Sequence, residues 1–256
     1  GPNLKVIGTI SVGVDHIDLK LLKERGVRLG YTPNVLTEAT SELTVALLLA
    51  TSRRLFEAHN EIRTGGWKTW SPFWMTGPGL SGSTVGVIGF GRIGQSVAEK
   101  LKPFGVLKIL YTRSSDKPPE KDIGAIKTDL DDLLRQSDFV VVTCALTELT
   151  RNLFTAEKFA LMKPTAIFVN SSRGGVVDQD ALITALKSGV IRGAGLDVMT
   201  PEPLPANHPL LELPNCVIIP HIGSATIEAR MAMTELTINN IIAGLEGGKM
   251  PAEYPL

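Results

Sequence analysis

From residue 84 to residue 219 the chain alternates two kinds of segment. Short runs of β-branched and other apolar residues fall at 85–88, 108–111, 139–143, 166–170, 194–197 and 217–219. They lack the polar/apolar alternation of a strand with one wet face, so each reads as a strand buried on both faces. The stretches between them carry helical spacing. In 92–104 the apolar residues Ile93, Val97, Ala98, Leu101 and Phe104 recur every three or four positions, and 129–136 and 179–188 repeat the pattern. Gly189 closes the last of these as a helix C-terminal glycine. Six buried strands joined by helical crossovers predict an α/β fold with a parallel sheet covered on both faces. Right-handed crossovers then favour the doubly wound arrangement.

Two longer helical stretches flank this region. The first, 38–63, has a centre (43–50) that is apolar nearly all round, which predicts burial against another domain or subunit. The second, 225–245, runs into Gly247-Gly248 and a Pro-flanked tail. A three-part organisation follows: a head (1–33), a nucleotide-binding type of domain (34–225), and a final segment (226–256) that returns to the head. All three tryptophans, Trp67, Trp70 and Trp74, fall within one arm punctuated by Gly65, Gly66 and Pro72. Such a cluster either packs a local corner or anchors an interface, and clustered tryptophan favours the interface.

Composition narrows the function classes. Hydrophobic residues make up 43% of the 256 and charged residues 20%, which suits a packed core and excludes a mostly disordered chain. The 26 Lys and Arg balance the 26 Asp and Glu, so the basic surface of a nucleic-acid binder is missing. No apolar stretch approaches the roughly 18 residues of a membrane span, so a soluble protein is expected. Cys144 and Cys216 have neither metal-ligand spacing nor the density of a disulfide framework, and read as reduced thiols in a reducing compartment. The chain opens Gly1-Pro2-Asn3 without a leader and enters the apolar Val6-Ile7-Gly8 at once, which reads as a start inside a fold.

The first chemical motif is Gly89-Phe90-Gly91-Arg92-Ile93-Gly94. A lone Gly-x-Gly-x-x-Gly is weak evidence, and a glycine turn in some other α/β protein is the alternative. Here it follows a strand and opens an amphipathic helix, the context a dinucleotide pyrophosphate needs. Gly89 would make the tight turn, Gly91 would admit the pyrophosphate and Gly94 would let helix and strand pack. At the end of the next strand, NAD-binding versions place a carboxylate for the ribose hydroxyls. This chain has Thr112 there, followed by Arg113, Ser114 and Ser115. Loss of the carboxylate and gain of a cation suit a 2′-phosphate, hence NADPH with NADH as the weaker alternative. A solvated surface arginine is the bland reading.

A third constellation is spread along the chain: Asn170-Ser171-Ser172-Arg173-Gly174, Gly195-Leu196-Asp197-Val198, Glu202-Pro203 and Pro220-His221-Ile222-Gly223. Arg173, Asp197, Glu202 and His221 all fall at or just past the carboxyl ends of expected strands, the ligand edge of an open parallel sheet. Singly, each reads as a loop or turn residue. Together they fit hydride transfer to a 2-oxo acid. Arg173 would pair with a carboxylate and polarise the carbonyl, His221 would give a proton to the developing alkoxide, and Glu202 would hold the imidazolium.

With these residues in view, the chain resembles the D-isomer-specific 2-hydroxyacid dehydrogenases along essentially its whole length. The resemblance rests on the glycine motif, on 170–178 (Asn-Ser-Ser-Arg-Gly-Gly-Val-Val-Asp), on Gly195 to Val198 and on the Arg173, Glu202 and His221 set. Segments 202–211 and 220–226, Tyr31-Thr32-Pro33 and the tryptophan arm look like the animal branch that reduces glyoxylate and hydroxypyruvate. The resemblance implies a Rossmann coenzyme domain, a flavodoxin-like substrate domain, a cytoplasmic homodimer and NADPH-dependent reduction of those acids to glycolate and D-glycerate.

By position, it places Ser11, Val12 and Gly13 in the loop that binds the substrate carboxylate, with Arg173 and His221. It assigns Gly89, Gly91, Arg92, Ile93 and Gly94 to the pyrophosphate turn, and Arg113 and Ser114 to the 2′-phosphate. Leu146 and Thr150 would border the nicotinamide ribose, Asp197 would stand near the carboxamide, and Ser172 and Gly223 join the cofactor set. Trp70 would reach the neighbouring subunit's substrate site. There are two departures. Cys144-Ala145-Leu146-Thr147 lacks the His-x-Pro of many relatives, and family members carry further β-α units before the point where this chain starts, so the substrate domain is expected to be incomplete. A relative with another substrate, such as formate or a phosphorylated hydroxy acid, is one alternative reading. A corepressor of the C-terminal-binding-protein type, which acts by binding peptides, is another; the head sequence and the missing ribose carboxylate argue against it.

Overall fold

The computed structural model describes residues 1–114, 119 and 122–256, and they divide into two units. The larger, Ser41–Gly223, is built on a seven-stranded sheet. Its strands are β3 (Thr84–Ile88), β4 (Lys108–Thr112), β5 (Ile126–Lys127), β6 (Phe139–Val142), β7 (Ile167–Asn170), β8 (Gly193–Leu196) and β9 (Cys216–Ile218). The order across the sheet is β5-β4-β3-β6-β7-β8-β9, with every neighbouring pair parallel. All six strands expected from the sequence are present within a residue or two. The seventh, β5, has only two residues, too few to leave a periodicity. Chain order reverses between β3 and β6, and that switch point opens a crevice at the carboxyl ends of the strands.

Strand pleating sorts the core into two layers. Val85, Val87, Ile109, Tyr111, Phe139, Val141 and Val169 face one side, where they meet Val97, Ala98 and Leu101 of α4 (Arg92–Leu101). Ile88, Leu110, Val140, Val142, Phe168 and Leu196 face the other, against α5 (Leu130–Gln136), α6 (Ala156–Ala160) and α7 (Gln179–Lys187).

Two expectations about helices need correction. The stretch 38–63 is two helices, α2 (Thr37–Ser52) and α3 (Leu55–Thr64). At the end of α2, Thr51 Oγ1 donates to the Leu47 carbonyl at 2.8 Å and Ser52 Oγ to that of Leu49 at 3.3 Å. Arg54 then turns left-handed (φ +55°), with its guanidinium held by Glu57. The apolar centre of α2 is buried in part within its own unit, while Leu43, Leu49 and Ala50 stay half-buried and Ala46 is exposed. Val45, Leu47 and Leu48 join the first core layer, and Gly195 lies so close to Leu47 and Thr51 that a methyl would not fit. Secondly, the helix expected over 92–104 ends at Leu101, and Pro103 confines the rest to a 3₁₀ turn, Lys102–Phe104.

The smaller unit comprises Gly1–Thr40 and Ser224–Leu256. β1 (Val6–Gly8) and β2 (Arg28–Gly30) pair in parallel through α1 (Leu19–Arg25), and α8 (Ile227–Leu245) packs on them. Buried Asn240 of α8 donates to the Tyr31 carbonyl at 3.1 Å and accepts from Ala252 N–H at 2.8 Å. Arg28 forks onto Glu253 at 2.7 and 2.6 Å, so the final segment is tied along β2. No helix among the described residues is long and apolar enough to cross a membrane.

Candidate active site

The glycine turn joins β3 to α4. Gly89 adopts φ +92°, and a methyl on it would strike the backbone of Cys144, so a glycine is required on both counts. Its carbonyl accepts from Thr143 Oγ1 at 2.8 Å, which ties the turn to the end of β6. Gly94 is pressed against the Gly89 carbonyl and Val87. Beside Gly91 the space is open: a methyl there would meet no atom within 4 Å. Gly91 caps α4 without a side-chain hydrogen bond, so the positive end of the helix faces that open space with Arg92 and Ile93 in its first turn.

Arg113 follows β4. Its Nη1 is buried and has no hydrogen-bond partner among the described residues, an arrangement that fits an anionic ligand group. Ser114 beside it is exposed, and Ser115 lies outside the described residues. After β6, Thr150 Oγ1 donates to the Ala145 carbonyl at 2.6 Å and accepts from Thr147 N–H at 2.8 Å, closing the loop that carries Leu146. Leu146 packs against Gly175. Cys144 and Cys216 are free, and burial pushes their thiols up to about 11 and about 12.

The edge formed by β7, β8 and β9 carries the polar constellation. Asn170, buried at the end of β7, organises the loop after it. Oδ1 accepts from Ser172 N–H at 3.0 Å and Ser172 Oγ at 2.8 Å, while Nδ2 donates to the Arg173 carbonyl at 3.0 Å. Arg173 leaves this loop in extended backbone, with Nη1 on the Ser172 carbonyl at 2.9 Å. Asp197, 1% exposed just past β8, accepts from Ile222 N–H at 2.7 Å and Gly223 N–H at 2.8 Å. Burial pushes its carboxyl above the usual carboxylate range; those two amides and nearby His221 oppose the shift, while Glu202 adds to it.

Asp197 thereby fixes the loop that holds His221, whose own N–H donates to the Asp197 carbonyl at 2.8 Å. His221 Nδ1 lies 2.7 Å from Glu202 Oε2, and Glu202 Oε1 accepts from Met199 N–H at 2.9 Å. The side chains are 46% and 33% exposed, so the pair is anchored yet open to solvent. A histidine with one ring nitrogen on a carboxylate and no partner for the other among the described residues is the arrangement of a proton donor and acceptor. Sequence reasoning did not single out Asn170 as a site residue. A polar side chain closing an apolar run was the available signal. Nor did it single out Gln179, which a sequence shows only as a polar helix start.

Of the remaining expected residues, Trp70 stands 77% exposed and Phe73 87% exposed on the arm, so no local packed corner forms there. In the smaller unit, Ser11 Oγ donates to the Gly13 carbonyl at 2.7 Å and bonds Thr9 Oγ1 at 2.8 Å, which shapes the loop around Val12. No group of three or more His, Cys, Asp or Glu among the described residues could hold a metal ion.

A family model described as the NAD-binding domain of D-isomer specific 2-hydroxyacid dehydrogenases matches residues 45–223. The glyoxylate reductase/hydroxypyruvate reductase of Mus musculus is 56% identical over 257 residues, covering 100% of this chain and 78% of that protein. A crystal structure from Thermus thermophilus is similar with TM-score 0.91 at 46% identity, over 98% of this chain and 79% of that one. An NADPH-dependent glyoxylate/hydroxypyruvate reductase from Sinorhizobium meliloti, solved with NADP and malonate, gives TM-score 0.89 at 34% identity, over 99% and 78%. The parallel sheet, the glycine turn and these likenesses agree: the chain belongs to the D-isomer specific 2-hydroxyacid dehydrogenase family.

Proposed function

We propose that the protein reduces glyoxylate and hydroxypyruvate to glycolate and D-glycerate, with NADPH as the preferred cofactor. The observation that carries this reading is the 2.7 Å contact of His221 with Glu202 at the carboxyl edge of the sheet, beside the Arg173 loop. The names of the mouse and Sinorhizobium relatives support the substrate class. When bound, the nicotinamide supplies the hydride that reaches the carbonyl carbon. Arg173 pairs with the substrate carboxylate and draws electron density toward the carbonyl oxygen. His221 Nε2 delivers a proton to that oxygen, which balances the reduction, and Glu202 steadies the ring through Nδ1. Gly89 to Gly94 hold the pyrophosphate, Arg113 and Ser114 the 2′-phosphate, and Leu146, Thr150, Ser172, Asp197 and Gly223 the nicotinamide half. The carboxylate contacts of Ser11, Val12 and Gly13 rest on the family resemblance.

The exposed tryptophan arm supports a homodimer, with Trp70 as the residue offered to the partner. A panel of 2-oxo acids assayed with both nicotinamide cofactors tests the reading. Turnover highest with glyoxylate and hydroxypyruvate upholds it. Preference for another acid, or peptide binding without turnover, overturns it.

A further inference from the structure

Gln179 opens α7, six residues after Arg173, and uses both ends of its side-chain amide. Oε1 accepts from Thr200 N–H at 3.0 Å, and Nε2 donates to the Thr200 carbonyl at 2.6 Å. These two bonds fix which way the amide faces, because the N–H requires the oxygen and the carbonyl requires the nitrogen. Nε2 also lies 3.2 Å from His208 Nε2. Thr200 therefore receives from one side chain the pair of partners that a neighbouring strand would give.

Thr200 belongs to the turn that carries Glu202. Within that turn, Met199 N–H holds one carboxylate oxygen and His221 Nδ1 meets the other. A shift of the turn moves the carboxylate relative to the histidine. One side of the turn is already fixed, because Gly174 sits against the Met199 carbonyl and Thr200 Oγ1 too closely for a methyl. Gln179 supplies the clamp on the backbone of Thr200. Both anchors come from the segment that begins with Arg173, so the substrate-binding arginine and the acid–base pair share one frame.

We infer that Gln179, braced by His208, is a positioning residue of the reaction: it sets where the Glu202 carboxylate stands relative to His221 and to the Arg173 loop. This rests on the acid–base reading of Glu202 and His221 given above. A tether that merely stabilised a surface turn would lower thermal stability and leave turnover alone. A positioning role lowers turnover through Glu202, and the two separate in a mutant cycle.

The test uses the full chain with Gln179→Met, Glu202→Gln and the double variant, each measured for kcat, cofactor KM and Tm. Gln179→Met is expected to lower kcat about tenfold, since sub-ångström misplacement of a reacting pair costs that order of rate, and to leave cofactor KM within about twofold. The double variant is expected to be no slower than Glu202→Gln alone. His208→Asn, which keeps an acceptor for the amide, is expected to be faster than His208→Phe. Should Gln179→Met fail to fold, Gln179→Glu keeps the acceptor for Thr200 N–H but sets a second oxygen against the Thr200 carbonyl, and it is expected to lower kcat at least as far. An unchanged kcat in the folded Gln179 variant, or losses that multiply in the double variant, overturns the inference while the acid–base pair stands. An unchanged kcat in Glu202→Gln overturns both.

Discussion

At position 221 the backbone is left-handed, with φ +52°. Few residues accept that region; histidine, asparagine and aspartate are among them. The fold thus bends the chain sharply to aim one imidazole, and the bond from its N–H to Asp197 holds the bend. His221→Gln should lower kcat by about 10²–10⁴-fold with little change in cofactor affinity, measured by steady-state turnover and by fluorescence titration of the nicotinamide. Arg113 makes a separate prediction. Its buried Nη1, without a partner among the described residues, would give a charge-assisted bond to a 2′-phosphate worth about 1.5–3 kcal/mol, or about 10- to 100-fold in affinity. Arg113→Ala should raise KM for NADPH by that factor and leave KM for NADH nearly unchanged, so comparing kcat/KM for the two cofactors decides the point. That Arg173, Asp197, Glu202 and His221 share one edge is legible in the sequence, because each follows an apolar run that must be a buried strand. The pairing of Glu202 with His221 follows from the chemistry of the two residues, and it is found at 2.7 Å, but the hold of the Gln179 amide on Thr200 and the Asn170 bonds that shape the Arg173 loop are not legible. They depend on how loops from different strands fold back, which no local pattern records.

Among the elements, the six long strands were legible because burial on both faces leaves unbroken apolar runs. The break between α2 and α3 was not. It comes from Thr51 and Ser52 bonding back to their own helix and from Arg54 turning left-handed, and threonine, serine and arginine each occur freely inside helices. In the smaller unit the Arg28 to Glu253 fork makes an element-scale prediction. The hydrogen bond from Arg28, with its charge, holds the Glu253 carboxyl below the ordinary glutamate range near 4.5. A carboxylate with a depressed folded-state value contributes stability that is present above the unfolded value and lost as pH falls through the folded one. Acid should therefore loosen the final segment from β2 below about pH 4.5, and Glu253→Gln should flatten that part of the profile of Tm against pH. An unchanged acid limb in the variant would remove this pair from the stability of the unit.

On the scale of the whole molecule, the arm that exposes Trp70 and Phe73 asks for a partner, because large aromatic groups so far out of the core are typical interface anchors. Sedimentation should find two chains together, and Trp70→Ala with Phe73→Ala should shift the protein toward the single chain at micromolar concentration. The division into units has another consequence, for the order of folding during synthesis. The larger unit is one continuous stretch, Ser41–Gly223, and holds all the strands its sheet needs. The smaller is assembled from both extremes of the chain, with Asn240 closing on Tyr31 across 209 positions. On a ribosome, the sheet around the glycine turn can therefore form while α8 is still being made, whereas β1 and β2 must wait for it. Until then, the apolar residues they bury against α8 stay open to solvent, and nascent chains stalled before α8 should be the ones that chaperones and proteases find.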